Sequence, residues 1–389
     1  MKRIYLDYAA TTPVDPQVVE AMMPYYTQMY GNPSSVHACG QETREGIELA
    51  RSKVAGMIKV QPEEIVFTSG GTEANNLALK GVAAAARQKG NHIISNSLEH
   101  HSVSETCKYL EENGYRVTYL PVDKYGRVDP DEVKKAITPH TIMVSIMHAN
   151  NEVGTIQPIS EIASITRQFG VYLHTDAVQT AGHIPVDAEA LGVDLLSMSA
   201  HKLYGPKGMG ALYIRKGTRI VPLLHGGGQE QGRRSSTENV PGIIGFGKAV
   251  DLALAGMPSE MLHQSRMRDV LIADLQREMK DIYLNGHPEQ RLPNNINVSI
   301  FGIEGESILL NLDLEGICVS TGSACSSTSM EASHVLLAMG VPPEFARCSL
   351  RISLGRWTTE GEIKRLMQIL PPVVKRLRAM SPIYKYDAV

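Results

Sequence analysis

"EEIVFTSGGTEANNLALKGVAAAARQKG", Glu63 to Gly90, decides the fold class. Within its first six residues, Ile65, Val66, Phe67 and Thr68 form a short run rich in β-branched and aromatic side chains, and the run stops at glycines, as a buried strand does. The stretch from Thr72 then carries apolar residues at helical spacing. The chain repeats this strand-to-helix unit. "HIISN" (strand), "HSVSETCKYLEENG" (helix), "YRVTYLPV" (strand), "DPDEVKKAIT" (helix), "TIMVSIM" (strand), "ISEIASITRQFG" (helix), "VYLHTDA" (strand) and "VDLLSMSA" (strand) follow in order, and "GALYIRK" closes the set. Such alternation predicts a mostly parallel sheet covered by helices on both faces.

Beyond Val240 the pattern changes. "GIIGFGKAVDLALAG" and "SEMLHQSRMRDVLIADLQREMK" read as two long helices, and the short strands "NNINVSI" and "LRISLG" alternate with helices toward the C-terminus. This predicts a large α/β domain over 16–255 and a smaller α+β domain over 256–389, joined by residues 1–15. A chain of 389 residues is long enough for two such cores.

Charge excludes some partners. The formal net charge of −3 offers no basic surface for nucleic acid or an anionic membrane. No uninterrupted apolar run reaches the length of a membrane span, and "MKRIYLDYAATTP" lacks the apolar core of a signal peptide, so a cytoplasmic protein is expected. The five cysteines have no C-x-x-C pair that would suggest a zinc site or a redox pair. Cys39, Cys107, Cys318 and Cys348 are expected as buried free thiols, whereas Cys325, within the Gly- and Ser-rich "STGSACSSTSME", is expected to be exposed.

In an open parallel sheet, ligands gather outside the carboxyl ends of the strands. After "EEIVFT" the turn Ser69–Gly70–Gly71–Thr72–Glu73 opens a helix, which suits a phosphate but reads equally as an ordinary N-cap. It has neither the G-K-[ST] of a Walker loop nor a G-x-G-x-x-G fingerprint. Other strand ends carry His100 and His101, the "NEVGTIQP" segment with Asn151, Asp176 with Gln179 three residues on, and Ser199, His201 and Lys202. A carboxylate at such a place caps a helix or neutralises a cationic nitrogen. An anion cradle, a stacking ring, a carboxylate and a lysine together match the needs of pyridoxal 5′-phosphate.

The motifs "YLDYAATTP", "GNPSSVH", "FTSGGTEANN", "EHHSV", "NNEVGTIQPI", "HTDAVQ", "SAHKLYGPKG", "RRSSTENV", "STGSACSS" and "LRISLG" occur in an order that resembles cysteine desulfurases of the NifS/IscS type, within the class V aminotransferase superfamily. The resemblance extends to about residue 370. It implies fold type I of the pyridoxal-phosphate enzymes, an α/β architecture whose large domain holds a mostly parallel seven-stranded sheet beside a smaller α+β C-terminal domain.

The resemblance also implies roles. Lys202 would form the Schiff base with the cofactor, while Lys207 has no catalytic role. Asp176 would pair with the pyridine nitrogen, Gln179 would bond the ring hydroxyl, and His100 would stack on the ring and serve in proton transfer. Gly71, Thr72, Ser199 and His201 would hold the phosphate, joined by Thr237 from the partner subunit of a homodimer. Asn151 would contact the cofactor or the substrate near the ring hydroxyl, Arg351 would clamp the substrate carboxylate, and Asn32 would be a further pocket residue. The implied reaction takes sulfur from L-cysteine, releases L-alanine and leaves a persulfide on Cys325 for an acceptor protein, either an iron–sulfur scaffold or a tRNA thiouridylase.

The run "SSTSMEASHVLLAMG" after Cys325 has the longer spacing of the NifS/IscS group, and the C-terminal "LPPVVKRLRAMSPIYKYDAV" lacks the tail associated with scaffold docking. A selenocysteine lyase or another class V enzyme would share Lys202 and Asp176 without needing Cys325. A non-catalytic sulfur carrier would not need every catalytic position filled.

Overall fold

The chain begins with the two-residue strand β1 (Ile4–Tyr5) and then builds its central sheet from β2 (Ile65–Thr68), β3 (His92–Asn96), β4 (Arg116–Leu120), β5 (Thr141–Ser145), β6 (Tyr172–Asp176), β7 (Leu195–Ser199) and β8 (Gly210–Ile214). The computed structural model describes residues 3–321, 332–382 and 384. The seven strands run in the order β2-β8-β7-β6-β5-β3-β4. All neighbours are parallel except β8, which is antiparallel to both β7 and β2. The reason is the connection Ala200–Met209, too short for the crossover that a parallel strand requires. Lys202 lies in this connection.

Period-two side-chain alternation supplies both faces with core. Ile65, Phe67, Ile94, Leu196, Met198 and Tyr213 enter one cluster, whereas Val66, Ile93, Leu195, Leu212 and Ile214 enter another. The helices predicted between these strands form at the expected places, among them Gly71–Ala85, His101–Glu112 and Ile159–Phe169.

A separate core gathers Leu6, Leu271, Ile296, Val298, Leu350, Ile352, Leu366 and Leu370. It forms around β9 (Ile282–Leu284), β10 (Asn295–Ile300) and β12 (Ser349–Ser353), which pair antiparallel in the order β12-β10-β9. The N-terminal segment reaches this region because β1 pairs in parallel with β11 (Ile317–Cys318).

Three expectations are corrected. The two helices read after Val240 are one, Val240–Glu278, with Pro258 inside it. Proline lacks an N–H for the Leu254 carbonyl, but Leu254 lies on an exposed part of the helix (44 %), where water can take that bond. By length and composition this helix could also cross a membrane, although 56 % of its most apolar 18-residue window is buried in the fold, as in a core helix. Among the cysteines, Cys107 and Cys348 are buried, but Cys39 is exposed and Cys318 partly so. Cys39 is the second residue of the helix Ala38–Met57, outside the core stripe of Thr43, Ile47 and Val54.

Candidate active site

Lys202 ends the short 3-10 turn Ala200–Lys202 that follows β7. Its Nζ donates to the carbonyls of Ala9 (2.6 Å) and Ala10 (2.7 Å). Gln179 Nε2 donates to the same Ala9 carbonyl at 3.1 Å, so the N-terminal segment draws Lys202 and Gln179 to one oxygen. That segment also bonds Thr11 Oγ1 to His201 Nδ1 at 3.0 Å. Lys207 is set apart: it is exposed, and its Nζ reaches the Thr12 carbonyl at 3.2 Å.

Asp176 is the last residue of β6 and is buried. Its Oδ1 accepts the Val178 N–H (2.9 Å) and its Oδ2 accepts Asn75 Nδ2 (2.6 Å). Asn75 Nδ2 also reaches Ser102 Oγ at 2.8 Å, and Ser102 Oγ meets His100 Nδ1 at 2.8 Å. A chain of hydrogen bonds therefore joins Asp176 to His100. His100 is itself the N-cap of the helix His101–Glu112, accepting the Ser102 N–H at Nδ1. An accepting Nδ1 carries no proton, so the neutral ring holds its proton on Nε2. Burial lowers the His100 pKa, with Lys202 adding to the effect and Asp176 opposing it.

Histidines around the lysine are neutral for the same reason. Burial and the charges of Lys202 and Lys207 bring His201 down to about 4, and burial brings His148 to about 4. Burial also brings His183, which bonds the Lys202 carbonyl at 2.9 Å, to about 4. Glu99 is the reverse case. Its Oε1 accepts Asn96 Nδ2 (2.6 Å) and the Met147 N–H (2.7 Å), yet burial, aided by Asp176, pushes its pKa up to about 8.

The helix Gly71–Ala85 begins without a side-chain cap, because its N-cap is Gly70 at φ +156°. Its first N–H groups are thus available to an anion. A Cβ on Gly71 would come within 2.7 Å of Val178 Cγ2, so only glycine permits this close approach to the segment after Asp176. Ser199 is buried at the end of β7, and a Gly71 Cβ would stand 3.7 Å from its Cβ. Thr72 is exposed on the helix start.

Arg351, on β12, is buried and donates through Nη2 to Asp7 Oδ1 (2.8 Å) and through Nη1 to the Asn151 carbonyl (3.2 Å). Its buried Nε has no acceptor among the described residues. Thr237 lines a cavity of about 230 Å³ together with Ser69 and Arg234. Asn32 is not drawn to this group: it is exposed, and its Oδ1 accepts the nearby Ser34 N–H. Cys325 lies outside the described residues.

The match to known families follows the same map. The family description "Aminotransferase class-V" fits residues 4–366. The cysteine desulfurase IscS of Dictyoglomus turgidum is 56 % identical over 388 residues, covering 100 % of this chain and 98 % of that protein. The chain belongs to the cysteine desulfurases of the class-V aminotransferase family. Among solved structures, a NifS-like protein superposes with a TM-score of 0.91 at 42 % identity, covering 96 % of this chain and all of that one. The structure titled "SspA in complex with cysteine" gives 0.82 at 37 % identity, covering 92 % and 100 %.

The sequence singles out Lys202, Asp176, Gln179 and His100, which the structure brings together, but not Asn75, Ser102, Glu99 and Asp7, which bond to residues of this group or to Arg351 or border them. Asn75 left one signal: it is an amide on the otherwise apolar face of Ala74, Leu77 and Ala78, where a helix interior disfavours it. Asp7 left none, because its partner is 344 positions away.

Proposed function

We propose that this chain acts on L-cysteine with pyridoxal 5′-phosphate as cofactor, releasing L-alanine and leaving a persulfide on Cys325. The observation that carries the reading is the meeting of Lys202, Gln179, Asp176 and His100 at the carboxyl ends of β6, β7 and β3, beside an uncapped helix start. Bound there, the cofactor supplies an electron sink that weakens bonds at the substrate carbon carrying the amino group.

The donor set fits that group. Gly71 and Thr72, with Ser199 and His201, hold the phosphate; Asp176, braced by Asn75 and Val178, holds the ring nitrogen; Gln179 faces the ring hydroxyl. Lys202 would carry the covalent attachment, and its Nζ would take and return protons. His100 would cover the ring face, and it holds its single proton at Nε2. Arg351, whose Nε has no acceptor among the described residues, binds the substrate carboxylate, and Asn151 borders the same place.

Sulfur leaves when the Cys325 thiolate attacks the substrate sulfur. An S–S bond forms, the C–S bond breaks with its electron pair returning to carbon, and a proton taken up by that carbon completes alanine. Cys318 is unsuited to this step, since burial and the nearby Asp313 raise its pKa and keep it a thiol.

Thr237 acts from the partner subunit of a homodimer. Exposed Met23, Tyr26, Tyr30 and Val36 support an apolar contact face near the N-terminus. The separate cores support a large domain of 16–255 and a small one of 1–15 with 256–389. The sulfur acceptor is an iron–sulfur scaffold or a tRNA thiouridylase, met in the cytoplasm.

Cys325→Ser tests the reading. With cysteine added, it is expected to change the visible band of the bound cofactor as the parent does, but to form neither persulfide nor stoichiometric alanine. Undiminished persulfide transfer would refute the assignment of Cys325.

A further inference from the structure

Glu73 puts a negative charge into the first turn of the helix that is to receive a phosphate. It lies two residues beyond Gly71, and its Oε2 takes the Ser69 N–H at 2.7 Å. Two anions at one helix start repel each other. Burial would raise the Glu73 pKa, but bonds from Arg234 and Ser69 outweigh it and keep the carboxylate charged.

Arg234 resolves the conflict. Its Nε meets Glu73 Oε1 at 2.8 Å and its Nη2 meets Oε2 at 3.2 Å, with both side chains largely buried. The segment bearing Arg234 is docked independently, because Glu230 accepts both Arg51 Nη groups (2.7 and 2.9 Å) and the Phe67 N–H of β2 (2.8 Å). It therefore grips both sides of the Ser69–Gly70 turn, at Phe67 before it and Glu73 after it. Thr237 follows three residues later.

We propose that Arg234 is a positioning residue for the cofactor phosphate: it cancels the charge of Glu73 at the phosphate turn of its own subunit and, through that pair, docks the segment whose Thr237 serves the phosphate of the other subunit. The inference rests on the phosphate site proposed above. Arg234 itself does not touch the phosphate; it acts through Glu73.

The test is the dissociation constant of pyridoxal phosphate, measured by dialysis of the holoenzyme and followed by its visible absorption. Arg234→Met is expected to weaken binding on the order of ten- to a hundredfold, the size of one uncompensated charge nearby. Arg234→Lys keeps the charge but loses the two-point fork, and should fall between the parent and Arg234→Met. The double variant Glu73→Gln/Arg234→Met should bind at least about threefold more tightly than Arg234→Met alone, because the repelling charge is gone.

A double variant no better than Arg234→Met would overturn the charge role, leaving Arg234 a structural clamp. Thr72→Val separates the inference from its foundation. If Thr72→Val weakens binding while Arg234→Met does not, the inference alone fails; if Thr72→Val has no effect and inorganic phosphate does not compete, the phosphate site and the inference fail together.

Discussion

Asn75 and Asp176 are joined by a 2.6 Å hydrogen bond between buried side chains, and Asn75 passes that contact on through Ser102 to His100. One amide thus orients both the carboxylate and the imidazole of the candidate site. Asn75→Ala should lower turnover on the order of tenfold and destabilise the fold by about 1–3 kcal/mol, since Asp176 loses a buried donor. Steady-state kinetics and urea unfolding check both. Unchanged turnover would separate the network from the chemistry.

The pH dependence of stability has opposing limbs. His148, His183 and His201 have pKa values of about 4, and His174 about 3, all depressed by burial from 6.5. A depressed histidine contributes stability that is whole above pH 6.5 and is lost as pH falls through the folded value, because the unfolded chain binds the proton first. Glu99 acts oppositely: with its pKa raised from 4.5 to about 8, its contribution is whole below 4.5 and is lost as pH rises through 8. Melting temperatures should fall between pH 6.5 and 4 in the parent protein. Glu99→Gln should gain on the parent as pH rises from 4.5 to about 8, and a constant difference across that range would be the contrary result.

Arg51 and Glu230 form a buried two-point ion pair, with side chains 7 % and 4 % exposed. Glu230→Ala removes the two-point buried partner of the guanidinium, leaving it the partly exposed Glu48 and the Ile65 carbonyl, and is expected to cost about 3 kcal/mol, more than most single substitutions. Replacing both with apolar residues, Arg51→Met/Glu230→Leu, should recover most of that loss. Denaturant midpoints decide between the two outcomes.

Ser236 holds φ at +152°, a conformation that favours glycine. Releasing it by Ser236→Gly should raise stability by up to about 1 kcal/mol. Thermal unfolding measures this, and a loss would mean that the Ser236 side chain contributes more than its backbone costs.

Much of the fold was legible because its signals are local. Ile65–Thr68, His92–Asn96 and Leu195–Ser199 are short apolar runs ended by polar or glycine residues, and each is a strand of the central sheet. Helix continuity through Pro258 was not legible, because proline marks a break unless the lost bond can be hydrated. The site was legible where residues follow strands, as Asp176 and Lys202 do. It was opaque where distant segments meet: nothing near Ala9 and Ala10 says that their carbonyls hold Lys202, nor does the setting of Asp7 reveal Arg351. The phosphate turn lay between these cases, since a cap and an anion site begin alike until Gly70 proves to offer no capping side chain.

Lys202 and Lys207 stand five positions apart in one turn, and only Lys202 shares the Ala9 oxygen with Gln179. Borohydride reduction of the holoenzyme followed by peptide mass mapping distinguishes them. The phosphopyridoxyl mass should appear on Lys202 and persist there in Lys207→Ala. Its appearance on Lys207, or a retained visible cofactor band in Lys202→Ala, would contradict the proposed attachment.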